Sequence, residues 1–153
     1  MKCILKVGCV AICLILSNIV LAVDCNSQCQ LTQIEAYFTA LDKMSRKGSS
    51  INDIDTLLSL THDDVEYIHV AYGAHFTKSS WRQAFVRNLE RSAYKNTGKN
   101  KIRITKQIFG NNYIAIEYSH GIIQQDGTWQ ATEPLLVLFG FSDDKISLIK
   151  ELW

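Results

Sequence analysis

Residues 57–70 read Leu57-Leu58-Ser59-Leu60-Thr61-His62-Asp63-Asp64-Val65-Glu66-Tyr67-Ile68-His69-Val70, and the apolar period changes within them. Upstream the period is helical. Leu31, Ile34, Tyr37, Phe38, Leu41 and Met44 recur at spacings of three and four, then Ile51, Ile54, Leu57, Leu58 and Leu60 do the same. Ser50 is placed to cap the second helix. His62-Asp63-Asp64 is a polar break. From Val65 the period falls to two, which sets Val65, Tyr67 and His69 on one face of a strand. A loop through Gly73 leads to a third helix. Ser80 is its expected cap and Gln83 completes the capping box, with Trp81, Phe85, Val86 and Leu89 as its apolar stripe.

Beyond Asn100 the pattern is that of a sheet. Ile102, Ile104 and Ile108 alternate with polar residues, Gly110-Asn111-Asn112 turns the chain, and a long strand runs from Tyr113 to Ile123. Asp126-Gly127 is a strong hairpin signal. A third strand is expected from Thr128 to Phe141, and a fourth from Lys145 to Trp153 after Ser142-Asp143-Asp144. Pro134 falls inside the third, so a bulge or an edge is expected there. Three helices followed by an antiparallel meander read as α+β, with the helices packed on one face of a strongly curved sheet.

The 153 residues suffice for one ordinary domain. With 47% hydrophobic and 20% charged residues the chain has the composition of a folded protein and not a disordered one. The formal net charge of +1 gives no basic excess to drive nucleic-acid binding. Arg87, Arg91, Lys95, Lys99, Lys101 and Arg103 read as a solvated face. No glycine-rich phosphate loop and no Gly-x-Ser-x-Gly elbow is present, and the histidines lack metal-ligand spacing, so neither metal nor cofactor is expected.

Residues 1–22 carry a positive start at Lys2 and Lys6, an apolar run from Val7 to Leu16, and Val20 and Ala22 in the small-residue pattern that precedes a cleavage site. That is the layout of a secretory signal peptide. Export to a periplasm or the extracellular medium follows, with no membrane attachment after cleavage. Cys3, Cys9 and Cys13 leave with the signal. Cys25 and Cys29 remain in segment 23–30 as an even pair in an oxidising compartment, so a disulfide between them is expected. The domain itself spans residues 31–153.

The order of elements resembles the nuclear-transport-factor-2-like superfamily, which includes SnoaL-like cyclases and ketosteroid isomerases. The residues that carry the resemblance are Ile34-Glu35-Ala36-Tyr37-Phe38-Thr39-Ala40-Leu41, Leu60 to Tyr67, Phe141-Ser142-Asp143-Asp144-Lys145-Ile146 and Leu152-Trp153. The resemblance implies a sheet curled into a cone, a pocket at its open end and a homodimer formed through the sheet. It also implies roles. Tyr37 matches the tyrosine of the isomerases' first helix, and His69 falls where their carboxylate base stands. Their third group falls near Val137, which cannot donate. The fold hosts isomerases, cyclases, dehydratases, binders and scaffolds, so it does not select among them.

Read from the residues, His69 is a candidate general base, since an imidazole takes a proton near neutral pH. Tyr37 is its candidate oxyanion donor. Tyr118 and His120 share a strand face with Ile114 and Ile116, and Glu133 shares one with Trp129, Leu135 and Val137. Tyr67, Tyr118, His120, Trp129, Glu133 and Trp81 are therefore expected to line the pocket. Three functions follow: an exported binder of a small apolar molecule, an isomerase- or cyclase-type enzyme, and a dimeric interaction module with a filled pocket.

Overall fold

A computed structural model describes residues 25–153; the expected signal segment 1–22 lies outside the described residues. Helix α1 (Ser27–Met44) is capped by Asn26, whose side chain accepts from the Cys29 amide, and it buries Ile34, Tyr37, Phe38 and Met44. Cys25 and Cys29 flank that cap with Cα atoms 5.3 Å apart and bonded sulfurs. Helix α2 (Ile51–Ser59) begins in a capping box between Ser50 and Asp53 and buries Ile54, Leu57 and Leu58. Helix α3 (Lys78–Glu90) starts three residues before the sequence suggests. Thr77 is its cap and Ser80 the reciprocal partner, so the expected Ser80–Gln83 box gives way to a box one turn earlier.

Seven strands form one curled, mixed sheet. They are β1 (Thr61–His69), β2 (Ala74–Thr77), β3 (Asn100–Phe109), β4 (Tyr113–Ile123), β5 (Trp129–Ala131), β6 (Leu135–Ser142) and β7 (Lys145–Glu151). The order is β2-β1-β7-β6-β4-β3, with β5 paired to the end of β4. All neighbours are antiparallel except β1 and β7, which run parallel and place His69 beside Glu151. The polar break at residues 62–64 belongs to β1, because Thr61 pairs with Ile146 and the register then shifts before Glu66. Strand β2 occupies what the sequence suggests is loop. The long strand expected from Thr128 to Phe141 is divided into β5 and β6 with Pro134 between them, where a missing N–H would break a ladder. Asp143 and Asp144 both adopt positive φ, the requirement of a tight hairpin joining β6 to β7.

The core lies between α1, α2 and the concave sheet face. Ile114 and Ile116 of β4, Val137 and Phe139 of β6 and Ile146 and Ile149 of β7 are all buried against Ile34, Tyr37 and Phe38. Phe139 meets the edges of both Tyr37 and Phe38, with centroids 5.5 and 5.8 Å apart, contacts worth about 0.5–1.5 kcal/mol each beyond the buried area. This packing fills the closed end and leaves the ends of β1, β4 and β7 to frame an opening.

Candidate functional site

Strand alternation aims Tyr67 and His69 of β1 and Tyr118 and His120 of β4 at the same space, a pocket of about 490 Å³. Its floor and rim add Leu41 of α1, Phe76 of β2 and Ile102 of β3. The loop after β1 contributes Tyr72, and the C-terminal tail contributes Trp153. Loop and tail are tied together, since the Val70 and Ala71 amides donate to the carbonyls of Glu151 and Trp153 at 3.0 and 3.2 Å.

The polar centre is a cluster that sequence reading does not single out. The Tyr67 hydroxyl donates to Glu151 Oε2 at 2.9 Å, and His69 Nε2 lies 3.4 Å from the same oxygen. The Glu151 carboxyl is pushed up from its ordinary value by burial, opposed by the Tyr67 hydrogen bond and the nearby His69. Burial and then the Glu151 charge hold the Tyr67 phenol far above its usual range. His69 is 4% exposed, and neither ring nitrogen makes an aligned hydrogen bond. Its ring is held between Tyr72, stacked at 4.1 Å, and the edge of Trp153 at 4.3 Å. His120 is half-buried, and desolvation lowers its imidazole pKa.

Of the residues singled out in the sequence, Tyr67, His69, Tyr118 and His120 come together around this space. The other four do not line it. Tyr37 is fully buried in the core behind the pocket, where burial and then Glu151 drive its phenol well above the ordinary value. Trp81 is buried on α3 and stacks against the back of Tyr67 at 4.6 Å, supporting the wall from outside. Trp129 lies on the outer sheet face, over Gly121 and beneath the Arg103 guanidinium, which sits 4.4 Å from its ring. Glu133 is exposed in the break between β5 and β6. Only alternation that ran unbroken through Pro134 would set it beside Leu135 and Val137, and the break there removes it. The basic run is likewise dispersed, with Lys101 on Asp42 at 3.4 Å and Arg103 on Trp129.

Glu151 did leave a trace in the sequence. Ile149, Glu151 and Trp153 alternate in the last strand, so a buried Ile149 carries Glu151 inward with it. What alternation cannot supply is the parallel pairing that seats it beside His69.

No protein-family model and no curated protein sequence matches the chain. Solved structures do. One is a protein with a ketosteroid isomerase-like fold from Catenulispora acidiphila DSM 44928, in complex with trimethylamine. It is 20% identical, with 79% of this chain and 84% of that one covered at a TM-score of 0.52. TerC co-crystallised with polyporic acid is 14% identical over 82% of this chain and 91% of its own, at a TM-score of 0.56. An NTF2-like protein from Burkholderia pseudomallei K96243 covers 82% and 90% at 11% identity and a TM-score of 0.54.

The chain has the NTF2-like fold.

At these identities the likeness extends to the fold and not to activity. Among the described residues, no group of three His, Cys, Asp or Glu side chains is arranged to hold a metal. No described helix is long and apolar enough to cross a membrane. What the pocket offers chemically is an aromatic enclosure, a carboxyl group of raised pKa, a phenol bonded to it and an imidazole whose nitrogens make no aligned hydrogen bond.

Proposed function

We propose that the protein binds a small, largely apolar molecule bearing one polar group in the pocket at the mouth of its cone. The observation that carries this reading is His69, a buried imidazole whose nitrogens lack aligned partners in an aromatic pocket. An unsatisfied buried polar atom costs about 1–3 kcal/mol, which a ligand supplying the partner recovers. A few convergent polar groups in an apolar cavity is the usual build of a small-molecule site. That two structures similar to this one have been obtained with trimethylamine and with polyporic acid supports the reading. Thermal unfolding against a library of small apolar alcohols, ketones, acids and amines tests it. A saturable rise in Tm is expected for some members, by mass action. No rise for any of them refutes it.

The His69–Glu151–Tyr67 cluster favours a second reading, an isomerase- or cyclase-type enzyme. His69 would take a proton beside a substrate carbonyl, with Glu151 orienting the imidazole. Tyr118 lines the pocket and Tyr37 does not, so Tyr118 is the better placed donor to a developing oxyanion. His69→Ala is then expected to abolish turnover, and retained turnover rejects the role.

Export belongs to the same proposal. Cleavage after Ala22 is checked by N-terminal sequencing of the exported protein, and the Cys25–Cys29 disulfide by thiol counting. Pairing of two copies through the outer sheet face, where Ile108, Ile123 and Leu136 are exposed, is checked by sedimentation equilibrium.

A further inference from the structure

The pocket has a charge sign that the binding reading leaves unused. Its lining includes no Lys and no Arg, and its one carboxylate is Glu151. The contacts of that carboxylate with Tyr67 and His69 both fall on Oε2, and Oε1 takes part in neither. Around it stand the rings of Tyr67, Tyr72, Phe76, Tyr118 and Trp153. Aromatic faces are negative and attract cations, most strongly when water is excluded. Burial lowers the His120 imidazole pKa, which favours its neutral form beside a bound cation. An anionic ligand would instead meet Glu151 at short range in a poorly solvated space.

From this arrangement we infer that the pocket's ligand class is a small organic cation with a tertiary or quaternary ammonium group, its charge set against Glu151 and its alkyl groups against the rings. The inference rests on the pocket-binding reading and narrows it. A primary ammonium would need three acceptors, and Oε2 of the pocket's carboxylate already accepts from the Tyr67 hydroxyl. A tertiary ammonium needs only one acceptor, for which Oε1 is the carboxylate oxygen outside both contacts, and a quaternary one needs none. Tyr72 is 77% exposed yet stacks on His69, so it stands at the rim as an outer ring that a bound cation would also face.

Three probes of one shape and different charge separate the possibilities. Choline, 3,3-dimethyl-1-butanol and 3,3-dimethylbutanoate present a cation, a neutral group and an anion on the same bulky head. Isothermal titration of the purified full chain at pH 7.5 is expected to give choline roughly tenfold tighter than the alcohol, and the anion weakest. Glu151→Gln is expected to reduce the preference for choline over the alcohol severalfold. Should that variant fold poorly, Trp153→Leu removes one ring at the mouth and is expected to weaken choline more than the alcohol. An alcohol that binds as tightly as choline overturns the cation class while leaving the pocket reading intact. Preference undiminished in both variants overturns the assignment of Glu151 and the rings. No binding of any probe at millimolar concentration overturns both the inference and the pocket reading.

Discussion

Tyr67→Phe removes one oxygen from the site and little else. The ring keeps its stack on Trp81, 4.6 Å away and inclined by 19°, so packing is preserved. The loss is the 2.9 Å hydrogen bond to Glu151 Oε2. Hydrogen bonds to charged groups contribute about 1.5–3 kcal/mol, and this one serves a carboxylate already raised in pKa by burial. For a domain of this size about 4 °C of Tm accompanies each kcal/mol, so the variant should melt roughly 6–12 °C lower at pH 7.5. The pH dependence has a definite sign. The folded-state carboxyl holds its proton to higher pH than it does in the unfolded chain. Its contribution is therefore most favourable below the ordinary glutamate range and declines as pH rises through its raised value. Without the phenol the carboxyl rises further, so the gap between wild type and variant should be widest where Glu151 is ionised. It should narrow on acidification, as the bond becomes one between neutral groups. Differential scanning calorimetry from pH 4 to pH 8 reads both effects. Equal melting temperatures at pH 7.5, or a gap that grows on acidification, would refute the reasoning.

Other perturbations give sharp outcomes. Glu151→Gln removes the buried charge, so relative to wild type its stability should improve as pH rises above the ordinary glutamate range, read by urea titration at a series of pH values. Asp53 is held down to a pKa of about 2 by Lys43 first and then Ser50. Asp53→Ala should cost about 0.5–2 kcal/mol at neutral pH by loss of the capping box, and the difference should fade as pH falls from about 4 toward 2, followed by circular dichroism. At Gly121 an added Cβ would come under 3.0 Å from the Gln130 carbonyl and the Trp129 ring, so Gly121→Ala should destabilise by about 1–3 kcal/mol in urea. Residues 23–153 should show no free thiol, and denaturing titration with a thiol reagent counts them.

Much of the fold was legible because local chemistry and tertiary structure agree. The spacing of Ile34, Tyr37, Phe38 and Met44, and of Ile54, Leu57 and Leu58, predicts two helices, and the structure buries those residues. Ser50 caps where expected. The alternation of Ile114, Ile116, Tyr118 and His120 likewise predicts one face of β4, and the structure turns that face inward. Elsewhere tertiary pairing decides. Ala74–Thr77 is too short to carry a period, and it becomes a strand because β1 offers an edge. Thr77 outcompetes Ser80 as a cap because that strand ends there. Extending one period across Pro134 assigns Glu133 and Trp129 to the pocket, whereas the backbone break sends one to solvent and the other to the outer face. The site divides the same way. Tyr67, His69, Tyr118 and His120 could be found by parity along single strands. Their partner Glu151 requires the parallel β1–β7 register, which joins residues far apart in sequence.

The central claim is that the space bounded by His69, Glu151 and Trp153 receives a ligand. The most direct measurement follows ¹⁵N resonances of the histidine rings and tryptophan indoles during titration with 3,3-dimethyl-1-butanol and with choline. Saturable shifts confined to His69, His120 and Trp153 are expected for at least one of the two, with Trp129 on the outer face and exposed His75 unmoved. Shifts centred on Trp129, or none at His69 as either probe reaches excess, would contradict the account.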